Sequence, residues 1–204
     1  WPALSRAERR EAVHQLAARV QHIHATPTPY GLARLETPQL IDATELFPLA
    51  PIERAIDAAR RIPTIPAWLL DDLAARVRWL SSAVTAFPGD HIIHGDLTFE
   101  NVLWDGRRVT AIIDFEWSRG APADLELDVL LRMCAYPQLH VAPEYADATR
   151  AEDYAEVPMW FAEAYPAMFE VERIADRLEL YSLAYDLHDL LQYPPRGDGA
   201  QLPK

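Results

Sequence analysis

Residues 92–103 read Ile92-Ile93-His94-Gly95-Asp96-Leu97-Thr98-Phe99-Glu100-Asn101-Val102-Leu103, and residues 112–116 read Ile112-Ile113-Asp114-Phe115-Glu116. Short β-rich runs flank the polar residues: Ile92-Ile93, then Val102-Leu103-Trp104, then Val109 to Ile113, with Asp105-Gly106 between the last two. Apolar runs separated by an Asp-Gly turn predict a hairpin. That hairpin brings Asn101 and Asp114 side by side, close in sequence to Asp96. A bare His-Gly-Asp arises by chance in roughly one in forty chains of this length, and requiring the asparagine and the second aspartate lowers this to on the order of one in ten thousand. The combination is therefore specific enough to build on.

Helices surround this small β insertion. Ser5 and Glu8 form a capping box, and Val13, Leu16, Val20 and Ile23 then recur at helical spacing, predicting a helix from Arg6 to His24. Thr26-Pro27-Thr28-Pro29 stops it. A proline-punctuated stretch runs to Pro66, with a short helix in Ile52 to Arg61. Leu69, Leu73, Val77, Leu80 and Val84 define one face of a second long helix from Ala67 to Phe87, which Pro88-Gly89-Asp90 ends. After Pro122 the helical pattern returns in Asp124 to Ala135, Tyr154 to Phe169 and Val171 to Gln192. With too few strands for a doubly wound sheet, the chain reads as one mostly helical α+β lobe spanning residues 1–204.

Composition narrows the function. Half of the 204 residues are apolar and a quarter are charged, which suits a globular domain with a buried core. The formal net charge of −12 argues against nucleic acid as a partner, because binding phosphates needs a basic surface. A lone cysteine, Cys134, argues against disulfides and a thiolate zinc site. No run approaches the ~20 apolar residues that cross a bilayer, and no signal peptide is evident, so a cytoplasmic location with no membrane contact is expected.

The His94-Gly95-Asp96 loop, Asn101 and Asp114-Phe115-Glu116 resemble the catalytic core of the aminoglycoside phosphotransferase and choline kinase families, distant relatives of protein kinases. Gly95 stands where protein kinases have arginine, and Glu116 where they have glycine. The resemblance extends more weakly across the helix ending His22-Ile23-His24 and across Leu125 to Arg132. It implies the C-terminal catalytic lobe of a kinase-like fold that uses ATP and Mg2+. Asp96 is then the base beside the acceptor hydroxyl, and Asn101 and Asp114 are the metal ligands. Leu103 and Ile113 form the apolar floor of the adenine pocket, and His94 supports the loop. Glu116 either helps orient the metal residues, faces a cationic substrate, or is a solvated charge. Asp124 and Asp128, at a helix start, are explained by the helix dipole.

The same families carry an N-terminal lobe of strands with a phosphate-covering loop and a lysine. Nothing of that kind precedes Trp1, and the only lysine is Lys204, so a missing N-terminal lobe is expected as a partner alongside a small-molecule acceptor. Two rivals stand beside the phosphotransferase. A zinc site at His91, His94 and Asp96 fits poorly, since three ligands in so short a strand and turn do not converge. A non-catalytic binding module derived from a kinase lobe accounts for the absent lobe but not for the retention of Asp96, Asn101 and Asp114 together. Aminoglycosides, choline-like amines, sugars and amino acids all remain open as acceptors.

Overall fold

A computed structural model describes residues 1, 3–27, 49–84 and 91–195. The Pro88-Gly89-Asp90 stop, most of the proline-punctuated stretch before Leu49, and Lys204 lie outside the described residues. The chain is mostly helical, with two small antiparallel sheets, and divides into two compact units: Trp1–Ala33 with Gly89–Val171, and Arg34–Pro88 with Glu172–Lys204.

The first unit begins with α1, Arg6–His24, and its capping box forms as the sequence predicts: Glu8 N–H donates to Ser5 Oγ at 3.3 Å and Ser5 N–H to Glu8 Oε2 at 2.8 Å. The apolar stripe Val13, Leu16, Ala17 and Val20 is buried and ends on a buried histidine, His24. Four strands follow: β1 His91–Ile93, β2 Val102–Trp104, β3 Val109–Ile112 and β4 Arg119–Ala121. β2 and β3 form the expected hairpin, with Val102 opposite Ile112 and a register shift after Leu103. The fourth strand is not evident from sequence: β4 pairs with β1, Ile93 opposite Arg119, so the β residues make two separate pairs. Beyond them come α4 (Glu126–Ala135), the single turn α5 (Pro143–Ala146) and α6 (Val157–Ala164). α1 packs on α6 and β1 around Leu16, Ile93, Trp160 and Phe161. The Arg9–Asp153 (2.5 Å) and Arg10–Glu163 (2.8 Å) ion pairs run along one side of that contact.

The second unit packs α2 (Leu49–Ala59), α3 (Ala67–Ser81) and α7 (Ile174–Gln192) on one another. The second long helix is shorter than the sequence suggests, stopping at Ser81 rather than running to Phe87. Ser81 and Ser82 hydroxyls turn back onto the Arg78 and Trp79 carbonyls at 2.6 and 2.9 Å, offering the chain an alternative to further helix. Arg177 of α7 then donates to the Ala83 carbonyl at 3.2 Å. The buried face of α3 is also rotated from the expected one: Leu70, Ala74, Val77 and Leu80 are buried, whereas Leu69 is 46% exposed. Among the described residues, no helix is long and apolar enough to cross a membrane.

Candidate active site

The loop between β1 and β2 is held by groups that leave its backbone little freedom. Gly95 has φ +83°, and a Cβ there would stand 2.3 Å from the Trp117 carbonyl oxygen. Any side chain, the arginine of protein kinases included, would collide with backbone, which accounts for the glycine. Behind the loop lies Glu126, at the first position of α4. One of its carboxylate oxygens accepts from His94 N–H at 2.6 Å and the other from Gly95 N–H at 2.9 Å. Farther along, Phe99 N–H donates to Met133 Sδ at 3.1 Å, so α4 grips the loop at both ends.

His94 spans the space between the two sheets. Its Nδ1 accepts from Asp96 N–H at 3.3 Å, which leaves the proton on Nε2 to donate to the Ile113 carbonyl at 2.8 Å. Both ring nitrogens are thereby engaged, and the ring packs on Phe115 at 4.6 Å between centroids. This geometry is that of a support joining the Asp96 loop to the strand that ends in Asp114. His91 donates to the His24 carbonyl at 2.9 Å, so His91 and His94 are turned to separate backbone partners rather than to a shared zinc.

Asp96 is half-buried and Asn101 is buried. Asn101 Nδ2 donates to the Asp96 carbonyl at 2.8 Å and to Asp96 Oδ2 at 3.1 Å, which fixes the asparagine and turns its Oδ1 away from Asp96. The Asn101 carbonyl accepts from Ile113 N–H at 2.9 Å, extending the hairpin ladder by one step and setting Asp114 next to Asn101, as the Asp105-Gly106 turn predicts. Asp114 itself is left-handed, φ 65° and ψ 61°, and exposed. A non-glycine residue held there stores backbone strain of order 1–3 kcal/mol, a pattern that concentrates at functional sites. Glu116 is exposed on the short turn Phe115–Trp117 that follows. Leu103 and Ile113 are 45% and 41% exposed and share one face of the hairpin, opposite the face that carries buried Val109.

Sequence reasoning missed Glu126 and its neighbour His24. Glu126 is 1% exposed, and His24, 2% exposed, places Nε2 3.5 Å from Glu126 Oε2 and Nδ1 3.3 Å from the Tyr165 hydroxyl. Burial pushes the Glu126 carboxyl up. The hydrogen bond and electrostatic pull of His24, with the His94 N–H, outweigh that and hold it below its ordinary value. A carboxyl depressed on folding adds stability above its unfolded pKa of about 4.3 and loses it as pH falls through the folded value. The melting temperature of the protein is accordingly expected to fall on acidification below about pH 4. In Glu126→Gln this part of the acid dependence should be absent; an identical acid profile in the two proteins would show that Glu126 is not the group responsible.

Asp96 and Asn101 are thus bonded to each other on a loop anchored from behind by a buried carboxylate, and the backbone ladder places Asp114 one residue beyond the Ile113–Asn101 bond at the end of the hairpin. The family described as "Phosphotransferase enzyme family" (APH) matches residues 1–160. This chain belongs to that family. The match covers α1, both sheets, the loop and α4, so Asp96, Asn101, Asp114 and Glu126 all lie within it. Among solved structures, the chain is similar to one titled "Crystal structure of aminoglycoside-3'-phosphotransferase of type VIII", with 20% sequence identity and a TM-score of 0.54. The alignment covers 90% of this chain and 62% of that one, so the chain spans less than two thirds of that protein's length. At this identity the likeness establishes a shared fold, that of the C-terminal lobe of a kinase-like phosphotransferase. Comparison with curated proteins gives no match.

Proposed function

We propose that this chain carries the catalytic loop and metal residues of an ATP- and Mg2+-dependent phosphotransferase that moves the γ-phosphoryl group onto a hydroxyl of a small molecule. The observation that carries this is the Asn101 side chain bridging to Asp96 while its backbone pairs with the strand leading to Asp114. Asp96 orients the acceptor hydroxyl and takes its proton as the new O–P bond forms and the bond from γ-phosphorus to the bridging oxygen breaks, releasing ADP. The oxygens of Asn101 and Asp114 form a hard donor pair of the kind Mg2+ takes together with substrate phosphates and water, and they would hold it here. Bound there, the ion would neutralise charge on the phosphates. Leu103 and Ile113 offer an exposed apolar face for the adenine ring. The part of the enzyme that covers the phosphates, an N-terminal lobe in the families this chain resembles, lies outside these residues on this account. A small acceptor bearing an amine suits the −12 net charge and Glu116.

Titration of nucleotide with and without magnesium, on the complete phosphotransferase, tests the metal assignment. Asp114→Asn exchanges a charged hard ligand for a neutral one, so the strengthening of nucleotide binding by magnesium should shrink on the order of tenfold. Asn101→Ala should act in the same direction but more mildly. Equal magnesium dependence in wild type and Asp114→Asn would remove Asp114 from the metal site.

A further inference from the structure

On the face of the β2–β3 hairpin away from Leu103 and Ile113, the first unit contains a cavity of about 530 Å³. Val102, Trp104 and Val109 form its hairpin wall, Val13 and Leu16 of α1 a second, and residues 140–149 a third. Well-packed interiors leave few voids larger than a water molecule, whereas small-molecule sites occupy about 300–1,000 Å³. This volume therefore belongs to the second class. The lining is dominated by apolar and aromatic side chains. Three of the rings brace each other, with Trp1–Phe99, Trp1–Tyr154 and Phe99–Tyr154 centroids 4.5, 5.6 and 5.7 Å apart. A wall of mutually packed rings is formed before any ligand arrives, which lowers the ordering cost of binding.

The cavity also touches the chemistry. Phe99 and Glu100 line it and belong to the loop running from Asp96 to Asn101. His140 lines it too, half-buried. Burial lowers the His140 pKa, and the charges of Asp96 and Glu100 pull it back up, so this imidazole lies within electrostatic reach of the catalytic loop's carboxylates. A polyamine or sugar placed against such walls would give up its hydration for few hydrogen bonds. A ring system would instead exchange water for ring faces on several sides.

We propose that this cavity holds the apolar, ring-bearing body of the phosphate acceptor, its hydroxyl end extending past Glu100 and His140 toward Asp96, an inference that rests on the phosphotransferase function proposed above. The acceptor is then amphiphilic: whatever polar or amine-bearing end it presents to Asp96 and Glu116, the bulk of it is hydrophobic.

Calorimetric titration of the protein with 2-naphthalenemethanol, glycerol and kanamycin tests this. The aromatic alcohol should saturate a single site, glycerol should show no binding, and kanamycin should fail to displace the aromatic alcohol. Tyr145 is 62% exposed at the lining, so Tyr145→Ala should leave the circular dichroism spectrum intact while weakening the aromatic alcohol on the order of fivefold or more. Ala142→Trp, which fills space at the same wall, should abolish binding. The proposal is overturned if glycerol and the aromatic alcohol bind alike, or if neither variant changes affinity. It is equally overturned if the complete enzyme phosphorylates kanamycin but no ring-bearing alcohol. Each of these results leaves the magnesium titration of Asp114→Asn untouched, so failure of the cavity assignment is distinguishable from failure of the phosphotransferase function.

Discussion

On the function proposed above, replacing Asp96 by alanine is expected to lower kcat for phosphoryl transfer by about 10²- to 10⁴-fold, the usual range for loss of a general base. That corresponds to about 3–5 kcal/mol of transition-state stabilisation. The substitution removes one support of the Asn101 side chain, the 3.1 Å bond to Asp96 Oδ2, and leaves the others in place. Asn101 keeps its 2.8 Å bond to the Asp96 carbonyl, and the His94 and Gly95 N–H groups keep Glu126. KM for ATP should therefore move little, which separates a transition-state role from a collapsed site. Asp96→Asn, which preserves shape and hydrogen bonding but cannot take the proton, should be impaired nearly as much.

A second large effect is expected at Glu126, on stability rather than chemistry. Glu126→Ala removes one partner from a buried, charge-bearing cluster and leaves the His94 and Gly95 N–H groups and His24 without their acceptor. Breaking a buried pair in this way costs about 3–5 kcal/mol, a large part of the stability of an ordinary domain. Denaturant or thermal unfolding would read this directly, and Glu126→Gln, which can still accept one of the two N–H bonds, should lose less. Exposed pairs such as Arg6–Glu156 and Arg76–Glu179 are the contrast, since solvent screens them and their removal should be nearly silent. If Glu126→Ala unfolds no more readily than a variant of one of those surface pairs, the carboxylate does not anchor the loop.

The contrast between what the sequence shows and what it hides follows from locality. The helix Arg6–His24, its capping box, the hairpin and the Asp96–Asn101–Asp114 arrangement all depend on residues close together in the chain. A short-range pattern reaches them. β4 escapes because Arg119-Gly120-Ala121 has no β signature; it is a strand only because β1 offers a partner far back in the sequence. Glu126 escapes because an acidic residue at a helix start is already explained by the dipole. A better signal was present: Glu126 lies in register with Val129, Leu130 and Met133, the buried stripe of α4, as His24 lies in register with Leu16, Ala17 and Val20 on α1. A charged or titratable residue on an apolar stripe must find a buried partner, and these two found each other. For α3, two overlapping stripes exist among Trp68, Leu69, Leu70, Leu73 and Ala74, and only the packing with α2 and α7 selects the one through Leu70. Strand register turns Leu103 and Ile113 outward, a placement that their apolar character alone does not foretell.

The most direct measurement is transfer of label from γ-labelled ATP to a panel of hydroxyl compounds, with and without magnesium, by the complete enzyme and by its Asp96→Ala variant. Labelled product that requires magnesium, appears with the wild-type enzyme and falls by at least about a hundredfold in rate with the variant is the result predicted here. Equal transfer by the two proteins, or transfer indifferent to magnesium, would contradict the assignment of Asp96, Asn101 and Asp114 as a phosphoryl-transfer site.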